Sequence, residues 1–439
     1  MDLLIRNGRV YTQGRLQPFD IWIRDGRIAA LGGAHHADET LDARGLMVLP
    51  GAIDIHVHFR DPGANYKEDW MSGSTSAAAG GVTTVVDQPN TDPRTLDNSS
   101  YQLKLELASR RSVVDFGLNG GPGKIFELLK AGALAIGEIF TYEMDEERLR
   151  AVLQKVKEAG ALPTVHAEDG AMISQFTADT VEDTDADAYS RARPAPVEVT
   201  AVRTVLSAAN NVHFCHLSTA EGLQLIREAR GEGRAVTCEV APHHLFFDRR
   251  DYRRWGSFLK MNPPLRDGLD SRALWEGLRN GDVQVLASDH APHLPEEKKG
   301  DIWEAPPGVP GVETMLPLML GAVRGNMLTL DRLVEALCTW PARLLGLGTK
   351  GSIDVGRDAD LVLINTREQR VIRADKLHSR ADWTPYEGRK GIFPQMTLVR
   401  GQVVYDGELV VRPGYGKNLP GAGLQRMTLA DVDRVSQNS

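Results

Sequence analysis

Apolar positions along the chain fall into three regimes. From residue 2 to 49 they form short runs broken by Gly-containing turns: LLIRNGRVYT, FDIWIRDGRIAALGG and a run ending MVLP. In the second run Ile21 and Ile23 share one face of an extended chain and Trp22 takes the other, the period of two that marks a strand. From residue 51 to about 345, apolar runs at 53–58, 82–87, 113–118, 134–139, 162–166, 212–216, 236–241 and 283–288 alternate with helix-like stretches such as 97–111, 145–159 and 219–230. Beyond 345, strand-like runs return in KGSIDVGRDADLVLIN and PQMTLVRGQVVYDGELV.

Strand–helix alternation implies a parallel sheet, because parallel neighbours need a crossover connection. Eight repeats of it predict an α/β fold, a (β/α)8 TIM-type barrel over 51–345; an open doubly wound sheet is the alternative. The strand-rich ends, 1–50 and 346–414, are expected to build one small composite β-sandwich. Residues 415–439 read as a polar tail that packs on the surface or frays, and the acidic run 177–190 as a solvated loop or short helix.

Composition narrows the function classes. With 439 residues, 42% hydrophobic and 25% charged, the chain is globular, not disordered. A net charge of −8 argues against nucleic acid as the main partner, yet it leaves room for a small anionic substrate at a local positive site. Three widely spaced cysteines, Cys215, Cys238 and Cys338, with no CxxC, make a disulfide framework improbable and fit a reducing cytoplasm. MDLLIRNGRV reads as a charged alternating strand, not a signal peptide, and no run approaches the ~20 apolar residues of a membrane helix.

The candidate chemistry sits at the predicted strand ends. In AIDIHVHFRDPG, strand parity puts Asp54, His56 and His58 on one face, and two imidazoles at a strand end form a natural chelate. His166, His216 and Asp289 close three further strands, and at one mouth of a barrel all would converge. By the same parity His213 lies opposite His216 and reads as a packing residue; His290 reads as structural, and His35, His36 and His378 as surface residues. Four imidazoles and a carboxylate suit zinc or another first-row divalent metal. Arg60 follows the HxH by two positions, placed to hold a carboxylate bidentately, or else to pair with Asp61 or Glu68. His243 and His244 read as supporting residues. The long Pro- and Gly-punctuated stretch 294–314 reads as a lid or binding loop.

The segments HVHFRDPG, GGVTTVVDQPNT, HAED, FCHLST, MNPPLR and SDHAPH occur in the order and spacing of one family. On these motifs the chain resembles the amidohydrolase superfamily and, within it, the dihydroorotases, over nearly its whole length. The resemblance implies a distorted barrel with a composite sandwich and two metal ions, expected to be Zn2+, that activate water. Many relatives carry a carboxylated lysine at the end of the fourth strand. Here ALAIGEIF places Glu138 at that position, with Gly137 before it to let the backbone move inward. The expected ligands are thus His56 and His58 on one metal, His166 and His216 on the other, Glu138 bridging and Asp289 on the first; the alternative for Glu138 is a salt bridge.

The resemblance further implies that Arg60, Asn90 and His293 hold the free carboxylate of dihydroorotate, that Asn262 contacts its ring, and that backbone near Pro310 and Gly311 faces it. Asp289 is expected to move the proton. The expected function is the reversible interconversion of (S)-dihydroorotate and N-carbamoyl-L-aspartate in pyrimidine synthesis. Alternatives are another cyclic amidase, a hydantoinase or allantoinase, or a non-catalytic partner of aspartate transcarbamoylase. A homodimer, with possible transcarbamoylase association, is the expected assembly.

Overall fold

A computed structural model describes residues 2–421. All eight predicted barrel strands are present: β1 (Ala52–Val57), β2 (Val82–Asp87), β3 (Asp115–Leu118), β4 (Ile136–Phe140), β5 (Pro163–His166), β6 (Asn211–Phe214), β7 (Ala235–Val240) and β8 (Val285–Leu286). They pair in parallel as two arcs, β1–β2–β3 and β4–β5–β6–β7–β8. Single bridges join the arcs, Gly120 with Ile136 on one side and Val57 with His290 on the other. The fold is a distorted (β/α)8 barrel.

Helices return the chain between strands, and their sequences show why. Glu146–Glu158 is capped by Asp145, whose side chain accepts from the Arg148 N–H, and buries Leu149, Leu153 and Val156 on one stripe. Its first turn carries Glu146 and Glu147 and its last Lys155 and Lys157, matching the helix dipole. Each buried apolar side chain contributes about 1.5–3 kcal/mol.

Both chain ends meet in one six-stranded sheet: Leu361–Ile364 pairs antiparallel with Met47–Pro50, and Met396–Val399 and Gln402–Tyr405 continue it. A four-stranded sheet from residues 2–42 packs on it through Leu3, Ile5, Ile21, Ile23, Leu361 and Leu363. As the alternation predicts, Ile21 and Ile23 are buried and Trp22 is not. Val362 and Ile364, on the other face, belong to the barrel's core. Within the return stretch, Ile372, Trp383 and Tyr386 leave the sandwich and pack with Phe247, Leu259, Met261 and Val309.

The polar tail does not fray where it is described: the Phe116 N–H donates to the Lys417 carbonyl and the Leu419 N–H to the Phe116 carbonyl, so residues 416–421 run beside β3, the edge of its arc. Residues 422–439 lie outside the described residues. The acidic run is partly helical, and Asp183, Asp185 and Asp187 converge on Arg191, with Asp187 also on Arg249. All three cysteines are free and buried. Among the described residues no helix is long and apolar enough to cross a membrane.

Candidate metal centre and substrate cavity

The predicted ligands converge on Glu138. Its Oε1 lies 2.9 Å from His166 Nδ1 and 2.8 Å from His216 Nε2, and its Oε2 lies 3.5 Å from His56 Nε2 and 4.0 Å from His58 Nε2. Asp289 Oδ1 closes the group, 3.2 Å from His58 Nε2 and 3.8 Å from His56 Nε2. All six side chains are buried. Two overlapping sets, His56–His58–Asp289 and His56–Glu138–His216, each bring their ligand atoms close enough to hold one ion.

The donor set fits a divalent metal. His56 Nε2 and His216 Nδ1 are buried without a hydrogen-bond partner, a costly state for imidazole nitrogens unless a Lewis acid takes one of them. On His56 and His58 the Nδ1 nitrogens are fixed from behind. Glu239 Oε1 accepts from His56 Nδ1 at 2.5 Å, and Asn90 Oδ1 accepts from His58 Nδ1 at 2.8 Å, so each ring presents Nε2 to the centre. Glu168 Oε2 engages His166 Nε2 at 2.8 Å and is itself held by Arg193 Nη1 at 2.5 Å. Burial works against the Glu168 carboxylate, yet the Arg193 charge and the His166 bond hold it down at about 2. Burial likewise opposes a charged Asp289, but the His58 bond and the nearby imidazoles keep it below the usual carboxylate range.

Local backbone geometry supplies the convergence. Arg60 (φ 60°), His216 (φ 29°) and Asp289 (φ 46°) all adopt left-handed conformations that non-glycine residues seldom take. At His216 this overturns the parity argument. Strand β6 stops at Phe214, so Val212 and Phe214 pack into the helix-side core with Val202, Val205 and Leu223. His213 turns instead to Thr237 and Glu239, with its Nε2 3.0 Å from Glu239 Oε2. His216 reaches the centre because the chain turns after the strand, not because it shares a face with Phe214. His290 is structural as expected: its Nε2 lies 3.1 Å from Glu68 Oε2 and its Nδ1 accepts from the Gly311 N–H. His378 is no free surface residue, since buried Glu313 accepts from its Nδ1 at 2.9 Å.

A cavity of about 290 Å³ opens onto the centre, lined by His58, Arg60, Asn90, Glu138, Tyr142, Asn262, Asp289 and His293 among others. Arg60 makes no pair with Asp61 or Glu68. Its Nη2 lies 3.1 Å from His293 Nε2, and its Nε is buried without a partner. Asn90 spends its carbonyl oxygen on His58, which leaves its amide N–H groups for the cavity. Asn262 Oδ1 accepts from the Tyr189 hydroxyl at 2.6 Å.

Pro310 and Gly311 do not line the cavity. Pro307 and Gly308 do, and the Gly311 N–H is taken by His290. The wall is anchored by the buried ammonium of Lys298, which donates to the carbonyls of Lys260, Pro306 and Gly308. Glu239, Glu168, Arg193 and Lys298 were not singled out in the sequence. For Glu239 the signal was present, a carboxylate near the end of an apolar strand, VTCEV.

Residues 47–404 match the Amidohydrolase family. The chain is similar to a dihydroorotase of Methanosarcina mazei, 46% identical over 96% of this chain and 98% of the relative. It is also similar to an allantoinase of Rubrobacter xylanophilus, 37% identical over 95% and 97%. Among solved structures, an L-hydantoinase of Arthrobacter aurescens superposes with a TM-score of 0.90 at 32% identity, covering 95% of this chain and 99% of that one. The chain belongs to the amidohydrolase family. Within that family its class is that of the cyclic amide hydrolases.

Proposed function

We propose that the chain is a metal-dependent dihydroorotase, interconverting dihydroorotate and N-carbamoyl-L-aspartate. The observation that supports this reading over a hydantoinase or allantoinase is the half-buried Arg60 guanidinium beside His293, with Asn90, in the cavity of the metal centre. A ring bearing a free carboxylate uses that corner; a neutral hydantoin or allantoin leaves the half-buried cation without a counter-charge from the substrate.

In this account His56, His58 and Asp289 would hold one cation, and His166 and His216, with the Glu138 carboxylate, a second. Zinc, or another divalent metal, would acidify a water toward neutral pH and polarise the ring amide carbonyl. Arg60, His293 and the Asn90 amide fix the substrate carboxylate, and Asn262 meets the ring, so the scissile amide is aimed at Glu138 and Asp289. As the water oxygen adds to the carbonyl carbon, Asp289 takes its proton. The carbon–nitrogen bond then breaks, and Asp289 delivers that proton to the departing nitrogen. The reverse sequence closes the ring.

The test is Asp289→Asn, which keeps the shape and removes the proton acceptor. Turnover of dihydroorotate is expected to fall by about 10²–10⁴-fold, with the unfolding midpoint little changed. Near-normal turnover would remove Asp289 from the proton role.

A further inference from the structure

One ammonium next to the carboxylate corner takes no part in the chemistry described above. Lys67 lies in the loop after β1, with its side chain 14% exposed. Its Nζ lies 3.1 Å from His293 Nδ1 and 2.7 Å from Glu297 Oε1. An ammonium only donates and a carbonyl only accepts, so Lys67 at Nδ1 and Pro307 at Nε2 together put the lone pair on Nδ1 and the proton of the neutral ring on Nε2. Nε2 then donates to the Pro307 carbonyl at 3.0 Å, and Arg60 Nη2, 3.1 Å from Nε2, finds no acceptor there. The Trp383 indole N–H, donating to the His293 carbonyl at 2.8 Å, fixes the backbone beneath the ring. Burial, with Arg60 and Lys67 close by, pushes the His293 imidazole down to about 2, so the ring is neutral.

We infer that Lys67 is a positioning residue for substrate choice: by donating to His293 Nδ1 it holds the proton on Nε2, where Pro307 takes it, so that Arg60 Nη2 finds no acceptor in the ring and keeps its N–H for a substrate carboxylate. The inference rests on the dihydroorotase reading. Without the ammonium, Nδ1 is free to take the proton, because Glu297 Oε2 lies 3.8 Å away on that side. Nε2 would then offer a lone pair to Arg60 Nη2 and draw that N–H away from the substrate carboxylate. Lys67 acts through His293 and touches no reacting atom.

The experiment compares wild type, Lys67→Met and Lys67→Arg. The His293 tautomer is read from ring 15N shifts in histidine-labelled protein, the signal being assigned by its loss in His293→Gln. Steady-state constants are measured on dihydroorotate and on neutral hydantoin. Lys67→Met is expected to move the His293 signals to the Nδ1–H tautomer. It should raise KM for dihydroorotate about 10–100-fold, the worth of one charge-assisted hydrogen bond, with a smaller change in kcat and a much smaller rise in KM for hydantoin. Lys67→Arg, which keeps the donor, is expected to restore both readouts. An unchanged tautomer in Lys67→Met, or equal losses on the two substrates, would overturn this inference while leaving an active wild type as a dihydroorotase. A wild type that hydrolyses hydantoin but not dihydroorotate would overturn the substrate reading and the specificity role with it.

Discussion

Gly137 packs its α-carbon so closely against Thr164 of the neighbouring strand that a side chain would run into the Thr164 hydroxyl and carbonyl. Its φ of 154° and the register shift between Ile136 and Ile139 bend β4 at this point. The bend accompanies a Glu138 carboxylate that reaches His56, His166 and His216, although glutamate is shorter than a carboxylated lysine. Gly137→Ala is therefore expected to destabilise the protein by about 1–3 kcal/mol and to lower its metal content. Thermal unfolding and metal analysis on one sample check this.

Glu138 carries its carboxylate as part of the side chain, so assembly of the centre needs no carbon dioxide. Chelator-treated protein reconstituted in bicarbonate-free buffer is expected to regain the same activity as with bicarbonate. Glu138→Ala should lose metal and more than about 10²-fold of activity, a ligand mattering more than the groups behind it. Stimulation by bicarbonate in the wild type would contradict the role given to Glu138.

The pair Glu168–Arg193 grips the far nitrogen of His166. Glu168→Gln removes the charge that orients this ring and raises its basicity. Metal affinity, measured by competition with a chelator, is expected to drop about 10–100-fold while the circular dichroism spectrum stays the same.

Arg60 supplies the charge of the carboxylate corner. Arg60→Met is expected to weaken dihydroorotate turnover, as kcat/KM, about 10–100-fold more than turnover of hydantoin. Equal losses on the two substrates would favour a hydantoinase or allantoinase reading.

Much of the fold was legible because barrel strands and sandwich strands differ in how apolar runs are spaced and what separates them. All eight barrel strands and the helices at 98–111, 146–158 and 220–231 lie within a few residues of their predicted places. Strand β8 is the shortest, since Asp54 Oδ1 accepts from the Ser288 N–H where a ladder would otherwise continue. Residues of the centre were found by position at strand ends, but parity misdirected His213, because one left-handed residue after a strand cancels any argument from alternation. Pro310 and Gly311 were placed in the cavity when Pro307 and Gly308 line it. Loop conformation there depends on Lys298, whose burial no local pattern announces. Glu239 and Lys67 act through partners distant in sequence, so only the folded chain pairs them with their histidines, whereas Glu168 lies two residues past His166 and only its turn toward Nε2 needed the fold.

The most direct measurement is a metal titration of chelator-treated protein, following metal bound per chain and dihydroorotate hydrolysis together, with hydantoin and allantoin as comparison substrates. The expected result is an apoprotein without activity that regains dihydroorotate turnover, in preference to the other two rings, as metal fills the centre. Dihydroorotate turnover that is the same with and without metal, or a metal-loaded protein inactive on dihydroorotate, would contradict the account.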